Sequence, residues 1–310
     1  KTRGYGAAQT PTTTLLMDER GQRVAWRTKS GAVVVATLPS TPREGRAKLR
    51  HYIPRHNETI LAVAWIGRRV MVATRHEHAL TLYEWSGQLL PRDAYQLRDT
   101  HWQARADAPS PWLPLHTYPG PTPQAPQRFA LGDDARNLWH LDSPSPTLLA
   151  TSVLAAAVCN GRFVIAHHAT TEHHPANAAT TLEQVRGFTA RRVLLAPSGR
   201  WEDCAAETSP GEWSLPGNLR ARLPPDLEAI ALAQAVPQRL PGILARRGRA
   251  LCRVAPDGEE TLFEAPAELA DMRVNLGGTL VACVTVDGAL IAYHLPRRET
   301  LVHMTVEPSS

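Results

Sequence analysis

The sequence has 310 residues, of which 43% are hydrophobic and 20% charged, and its formal net charge is +5. This hydrophobic content is enough for a sizeable core. The chain holds no run of about 18 apolar residues, which excludes a membrane-spanning helix. Its 26 prolines and 20 glycines favour many short strands joined by turns over a helical protein. Length alone would suggest two domains, but all-β repeat folds exceed that size as single units.

The chain begins with a predicted tail, residues 1–11, and a first group of strands. Residues 12–18 and 23–27 flank a turn at Gly21, and residues 32–38 form a strong strand around Val33, Val34 and Val35. Only three strands are evident in this group. We therefore consider that an N-terminal strand completes the last unit of the fold, since closing a ring of sheets removes exposed edges.

A basic segment follows these strands. Residues 1–55 hold eleven Lys and Arg against three Asp and Glu, which leaves −3 for the rest of the chain. The candidate binding residues for an acidic partner surface or nucleic acid are Arg43, Arg46, Lys48, Arg50 and Arg55. A solvated arginine-rich loop is the simpler interpretation. Nucleic acid is disfavoured because no recognisable nucleic-acid module accompanies the segment.

Two irregular, proline-rich insertions interrupt the strands, residues 99–128 and 205–227. Seven prolines in the first remove backbone donors, so most of it is predicted not to form an interior strand. Trp102, Trp112 and Tyr118 make this arm apolar as well as extended. The arm is expected to pack on its own domain, and binding of a partner is the alternative.

Histidines cluster after two predicted second strands. They are His76 and His78 in one unit and His167, His168, His173 and His174 in another. Imidazole nitrogens can bind zinc, copper or nickel, but the spacing matches no structural zinc motif. Ordinary polar loop residues are therefore favoured over a metal site, and no cofactor is predicted.

The last part of the chain, residues 269–306, carries the clearest pattern. It predicts four short strands, at residues 272–275, 279–286, 289–294 and 300–304, with a type I′ turn at Asp287-Gly288. Both faces of such a meander are apolar, so it needs neighbouring sheets on both sides. The hairpin between the third and fourth strands recurs along the chain, with turns near residues 21, 87, 143, 199, 258 and 297 at a mean step of about 55 residues. This pattern predicts an all-β fold, a β-propeller of six four-stranded blades, with seven as the alternative, in a single domain over residues 12–306 followed by a tail, 307–310.

The remaining signals concern chemistry and location. Cys159, Cys204, Cys252 and Cys283 lack metal-like spacing and are interpreted as free thiols, three of them buried. Free thiols favour a cytoplasmic location, and no secretory signal is evident. Because residue 1 is Lys, we expect that the chain either is processed or belongs to a longer polypeptide. HExxH, Walker and GxSxG motifs are absent. The paired acids Asp133-Asp134 and Glu202-Asp203 are interpreted as solvent-facing.

Segments such as GGTLVACVTVDGALIAYHL and LAVAWIGRRVMVATRHEHALTLYEWSG resemble blades of bacterial WD-repeat-like propellers, over residues 12–306. The sequence lacks the Gly-His and Trp-Asp pairs of the WD repeat. It is also similar to the propeller component encoded with a MoxR-type AAA ATPase and a von Willebrand factor A domain protein. That resemblance implies a non-enzymatic adaptor in an ATPase-linked assembly. The alternative is a propeller enzyme or ligand-binding protein with a loop-built, metal-dependent site at the mouth of the channel.

Overall fold

The structure is a computed structural model. It describes residues 15–18, 21–27, 33–39, 48–52, 59–66, 69–76, 79–85, 89–96, 113–120, 122, 124–141, 146–169, 183–233, 240–275 and 278–305. In this part of the chain the regular elements are β-strands and two short 3-10 helices, Trp201–Asp203 and Pro216–Asn218. The all-β prediction is therefore confirmed. No helix among these residues is long and apolar enough to cross a bilayer.

The described strands form five sheets of three or four strands and one sheet of eight. The first sheet contains β1 (Leu15–Met17), β2 (Arg23–Arg27), β3 (Val33–Thr37) and β4 (Lys48–Tyr52). One half of the eight-stranded sheet contains β5 (Thr59–Ile66), β6 (Arg69–His76), β7 (Ala79–Trp85) and β8 (Leu89–Gln96). The other half contains β9 (Leu113–Tyr118), β10 (Arg128–Gly132), β11 (Leu138–His140) and β12 (Thr147–Ala150).

Four further sheets complete the described strands. The three-stranded sheet contains β13 (Val153–Cys159), β14 (Arg162–His168) and β15 (Glu183–Phe188). The next contains β16 (Arg192–Leu194), β17 (Ala205–Ser209), β18 (Glu212–Leu215) and β19 (Leu219–Arg222). The last two contain β20 (Glu228–Ala233), β21 (Gly242–Arg247), β22 (Ala250–Ala255) and β23 (Gly258–Glu264), then β24 (Leu269–Val274), β25 (Leu280–Thr285), β26 (Ala289–His294) and β27 (Glu299–Thr305).

Most sheets are meanders of consecutive antiparallel strands, as expected of propeller blades. The eight-stranded sheet is two such meanders joined where β9 runs parallel to β5, at the pairs Ala62–Leu113 and Val63–Pro114. The three-stranded sheet departs from the pattern because β15 runs parallel to β14. The repeated unit of the sequence is therefore the four-stranded meander, and two of these units share one sheet.

The chain divides into two compact units. The first comprises Lys1–Thr13, Glu58–Val193 and Ala206–Pro210, and the second comprises Thr14–Asn57, Leu194–Ala205 and Gly211–Ser310. In the first unit, one apolar cluster lies on the sheet of β5–β12, and a second cluster joins that sheet to β13–β15. The single domain predicted over residues 12–306 remains a prediction.

In the second unit, neighbouring sheets share apolar clusters on their flat faces. Leu15, Val24 and Trp26 of the first sheet pack with Leu280 and Leu290 of the last. Another cluster joins the sheet of β20–β23 to the sheet of β24–β27. A third cluster joins β18 and β19 to β20–β22 and surrounds the fully buried Trp213. Burial of both faces of β25 is the arrangement that its apolar sequence predicts.

The suggestion that an N-terminal strand completes the last unit is wrong for the described residues. β1 pairs with β2 in the first sheet, and the last sheet takes its four strands from β24–β27. Strand β4, which the sequence did not reveal, supplies the fourth strand of the first sheet. The first and last sheets meet through side chains on their faces rather than through an exchanged strand.

Four hairpin turns share one construction, in which a polar side chain closes the turn. In each, the carbonyl of the first residue accepts a hydrogen bond from the N–H three residues later, and its side-chain oxygen accepts one from the N–H four residues later. The residue at the fourth position has φ between 62° and 89°. The first residues of these turns are Asp18, Asp133, Asn275 and Thr285. We refer to them as the capped turns.

The capped turns correct two expectations. Asp133 is buried, not solvent-facing, and its carboxylate accepts hydrogen bonds from the amide of Asn137 and from the Trp139 indole N–H. Asp287-Gly288 does not form a two-residue type I′ turn, because only Gly288 has positive φ. The hydroxyl of Thr285 instead binds the backbone of Ala289 across the turn.

Replacing Thr285 with valine is expected to lower the free energy of unfolding by about 1–2 kcal/mol, because the Ala289 N–H loses its acceptor in a buried site. Valine keeps the branched shape, so packing changes little. Urea denaturation measures the effect. Thr285→Ser is the matched control, since it retains the hydroxyl, and it should remain closer to the wild type than Thr285→Val.

Both predicted proline-rich insertions contain strands, which corrects the view that they are irregular. β9 lies within residues 99–128, and β17, β18 and β19 lie within residues 205–227. The antiparallel pairs between β9 and β10 run from Leu115 to Tyr118. Pro114 precedes these pairs, near the start of β9, and a proline is tolerated there. Residues 99–112 lie outside the described part of the chain.

Candidate functional site

Part of the predicted basic segment forms a strand, β4. Lys48 and Arg50 belong to β4, where they pair with Thr37 and Val35 of β3. Since β4 is the outermost strand of the first sheet, this part of the segment lies at a sheet edge. Arg43, Arg46 and Arg55 lie outside the described residues. The interpretation of the whole segment as a loop is therefore wrong for residues 48–52.

Of the aromatic candidates, the structure describes Tyr118 and leaves Trp102 and Trp112 outside the described residues. Tyr118 is 1% exposed. Its ring stacks on Phe163 of β14 with 4.3 Å between ring centroids. The proposal that Tyr118 contacts a partner is therefore corrected, because its ring forms part of the seam between two sheets.

The histidine candidates do not form a metal centre in the described part of the chain. His76 ends β6, and His78, His173 and His174 lie outside the described residues. His167 is buried in β14, with its Nδ1 atom 3.0 Å from the carbonyl oxygen of its neighbour His168. Among the described residues, no group of three or more His, Cys, Asp or Glu side chains could hold a metal ion.

The second unit contains a polar contact between its first and last sheets, which we call the Asp271 clamp. The Leu15 N–H donates to Asp271 Oδ2 at 3.0 Å, and Arg273 Nε donates to the Leu15 carbonyl at 3.1 Å. Asp271 Oδ1 also accepts a hydrogen bond from the Met272 N–H, and its Oδ2 lies 3.8 Å from an Arg273 nitrogen. Two side chains of β24 therefore bind both backbone groups of the first residue of β1.

Burial makes the clamp sensitive to loss of either charge. The side chains of Asp271 and Arg273 are 13% and 20% exposed. Desolvation lowers the pKa of Arg273, and the nearby carboxylates of Asp271 and Glu228 act in the opposite direction. Glu228 itself pairs with Arg246 at 2.6 Å. Each of the two guanidinium groups, those of Arg246 and Arg273, thus has a carboxylate close by.

In the first unit, a second polar group lies in an apolar seam. His116, Tyr118 and His140 share one face of the β9–β12 sheet, since His116 and His140 both pair with Ala130 across the strands. The Tyr118 hydroxyl lies 2.5 Å from His140 Nδ1. Desolvation lowers the pKa of His116 to about 4, so its imidazole is neutral at pH 7.

The four cysteines are free thiols, and Cys159, Cys252 and Cys283 are buried. Burial raises the pKa of Cys283 to about 12. The thiolate is the reactive form of cysteine, so this side chain acts as a small apolar residue in the core. Cys204 is half-buried, and its sulfur lies 3.4 Å from the Arg200 carbonyl oxygen.

The sequence patterns considered above missed both polar groups. Asp271 and Arg273 lie two residues apart in a strand and so share a face, which is the only local signal of the clamp. Their third partner, Leu15, is 256 residues away from Asp271. His116 and His140 are single histidines in short strands, whereas the histidine candidates predicted from the sequence lie in clusters.

Comparison with known proteins places the fold but no family. No protein-family model matches the chain, and no curated protein matches it. Several solved structures do match the chain. A chain in the crystal structure of the mitotic checkpoint complex matches with a TM-score of 0.53 and 12% identity, covering 94% of this chain and 93% of that one.

Two other matches have lower TM-scores. The Myceliophteria thermophila Cps50 (Swd1) β-propeller domain matches with a TM-score of 0.46 and 14% identity, covering 92% of this chain and 96% of that one. The dihydro-heme d1 dehydrogenase NirN matches with a TM-score of 0.44 and 13% identity, covering 95% of this chain and 66% of that one. At such identities a likeness concerns the fold alone. Together with the succession of meanders, the match to the checkpoint complex shows that this chain is an all-β protein with a β-propeller fold.

Proposed function

We propose that this chain is a non-enzymatic scaffold that binds other proteins. The observation that carries the proposal is the use of its buried polar groups. Asp18, Asp133 and Thr285 close capped turns. The buried His140 contacts Tyr118, and the buried Arg253 donates to the Leu240 carbonyl at 2.5 Å. These groups stabilise the fold, whereas catalytic groups generally converge on a cleft with perturbed pKa values.

The distribution of charge along the chain supports a protein partner of acidic character. The excess positive charge of the chain lies in residues 1–55, and Lys48 and Arg50 are at the outer edge of the first sheet. By contrast, exposed arginines on later sheets have carboxylates beside them, as in the pairs Arg249–Glu264 and Arg298–Glu260. Opposite potentials across an interface speed association and fix its register.

Changing Arg43, Arg46 and Arg50 together to glutamate is expected to weaken association with the partner at least tenfold, because three attractive charges become repulsive. Capture from the native host with the tagged chain identifies the partner, and titration of the purified pair measures the loss. The matched control changes Arg162, Arg220 and Arg222, exposed residues of later sheets, to glutamate. If both triple variants bind the partner as tightly as the wild-type chain does, the basic segment is not the interface.

The resemblance to propeller components of MoxR systems suggests the finer proposal. The partners would be a MoxR-type AAA ATPase and a von Willebrand factor A domain protein, in a bacterial cytoplasmic assembly. Co-purification of these two proteins with the chain is the expected result. A stoichiometric metal in the purified chain, together with monomeric behaviour under all conditions, would instead favour the alternative of a metal-dependent propeller enzyme.

A further inference from the structure

The hairpin between β13 and β14 carries the one Asn-Gly pair of the sequence, Asn160-Gly161. The two residues form a two-residue turn, because Cys159 pairs with Arg162 on either side of them. Their φ angles are 49° and 73°, which is the positive-φ geometry of a type I′ turn. Both residues are exposed, so the Asn160 carboxamide and the Gly161 backbone lie next to each other in water.

We propose that Asn160 is a site of spontaneous deamidation in the folded chain. The Gly161 nitrogen attacks Asn160 Cγ and gives up its proton to water. The Cγ–Nδ2 bond breaks, and Nδ2 takes up a proton and leaves as ammonia, so that a five-membered succinimide remains. Water then opens this ring at either carbonyl carbon, which yields aspartate or isoaspartate. One water is consumed and one ammonia is released, with no change of oxidation state.

Three features of the turn favour this attack. The reacting groups belong to adjacent residues, so the reaction is intramolecular. Apart from its chain neighbours, no atom lies within 4 Å of the position that a Cβ on Gly161 would take, which leaves room for the rotation that brings its nitrogen to Cγ. Within the described part of the chain, no hydrogen bond holds the Gly161 N–H or the Asn160 carboxamide in place.

The other described asparagines lack these features. The side-chain amide of Asn137 donates to a carboxylate at 2.9 Å, and that of Asn275 donates to a threonine hydroxyl at 3.0 Å. Asn218, like these two, is followed by leucine, whose branched side chain crowds the attacking nitrogen, whereas glycine leaves it open. The local structure and the following residue therefore both distinguish Asn160 from the other three.

The products change the hairpin in two ways. Either product adds a negative charge next to Arg162, the first residue of β14. Isoaspartate also carries the backbone through one additional carbon, and the length of the turn fixes the register of a two-residue hairpin. The isoaspartate form is therefore expected to weaken the pairing of Cys159 with Arg162.

Incubation of the purified whole chain at pH 7 and pH 8.5, followed by peptide mapping with mass spectrometry, tests the proposal. Asn160 is expected to convert about tenfold or more faster than Asn137, Asn218 and Asn275. Its conversion should be faster at the higher pH, because the attacking nitrogen has to lose its proton. Methylation by an isoaspartyl methyltransferase detects the isoaspartate. In the matched variant Asn160→Gln, where ring closure would need six members, the same peptide should stay unmodified.

Two results would overturn the proposal. One is conversion of Asn160 no faster than that of the other three asparagines. The other is an intact Asn160 in the folded chain under conditions in which it converts in the urea-unfolded chain, because the turn then protects the pair. Methylation that persists in Asn160→Gln would place the isoaspartate elsewhere and would contradict the assignment.

Discussion

Replacing Asp271 with alanine is expected to lower the free energy of unfolding by about 3 kcal/mol. The change removes the acceptor of the Leu15 N–H and leaves the guanidinium of Arg273 largely buried beside no carboxylate on its own strand. Breaking a buried pair by deleting one partner is costly because the remaining charge is uncompensated. Differential scanning calorimetry and urea denaturation of the whole chain measure the loss.

A second variant separates the charge from the hydrogen bond. In Asp271→Ala combined with Arg273→Met, the unpaired charge is gone, so the double variant should be more stable than Asp271→Ala alone. The difference between the two variants measures the cost of leaving the Arg273 charge unpaired. If the free energy of unfolding of Asp271→Ala lies within about 0.5 kcal/mol of the wild-type value, the clamp does not contribute to stability.

Replacing Trp213 with alanine is expected to cost about 3–5 kcal/mol, as is usual when a large aromatic side chain is removed from a core. Trp213 is 1% exposed, and its cluster joins β18 and β19 to the sheet of β20–β22. The cavity would lie between two sheets, where the backbone of both limits collapse. Urea denaturation followed by far-ultraviolet circular dichroism measures the effect.

Trp201→Ala is the matched control for this variant. Trp201 lies in a 3-10 helix of the same unit and is half-buried, so its loss should cost less than half as much. If the two variants lose equal amounts of unfolding free energy, the cluster around Trp213 is not a tightly packed core.

Much of the last sheet could be predicted from the sequence. The predicted strands of residues 269–306 agree with β24–β27 to within about three residues at each end, because apolar runs there are separated by explicit turn residues. The position of the turn at Asp287-Gly288 is predicted correctly, but its type I′ geometry is not. The glycine supplies one positive φ, and whether the turn has two residues or more depends on Thr285, whose hydroxyl has no obligatory role in a strand sequence.

The recurring glycines did not identify which hairpin they belong to. The turns near residues 258 and 297 connect third and fourth strands, as predicted, but Gly21 and Gly199 lie between the first and second strands of their sheets. Positive φ is needed in several kinds of turn, so the same residue type marks different positions. The predicted repeat has an uneven step because its glycines mark different hairpins in different sheets.

The missed strands have a different cause. β9 begins with Leu113 and Pro114, and β18 is only four residues long. Their apolar faces become visible only when neighbouring strands supply the rest of the core, as Phe129 and Leu131 of β10 do beside Leu115. Tertiary packing overrides weak local preference in such strands, and a single sequence does not show that packing.

Because the Asp271 clamp joins residues that are 256 positions apart, the contact between the first and last sheets forms only after β24 has been synthesised. Leu15 leaves the ribosome long before β24 is translated, so the first sheet waits with the apolar side chains of Leu15, Val24 and Trp26 uncovered. Contacts between residues so distant along the chain form late and slowly. Chains that end before residue 269 leave that apolar face uncovered, so shortened chains of this kind are expected to aggregate.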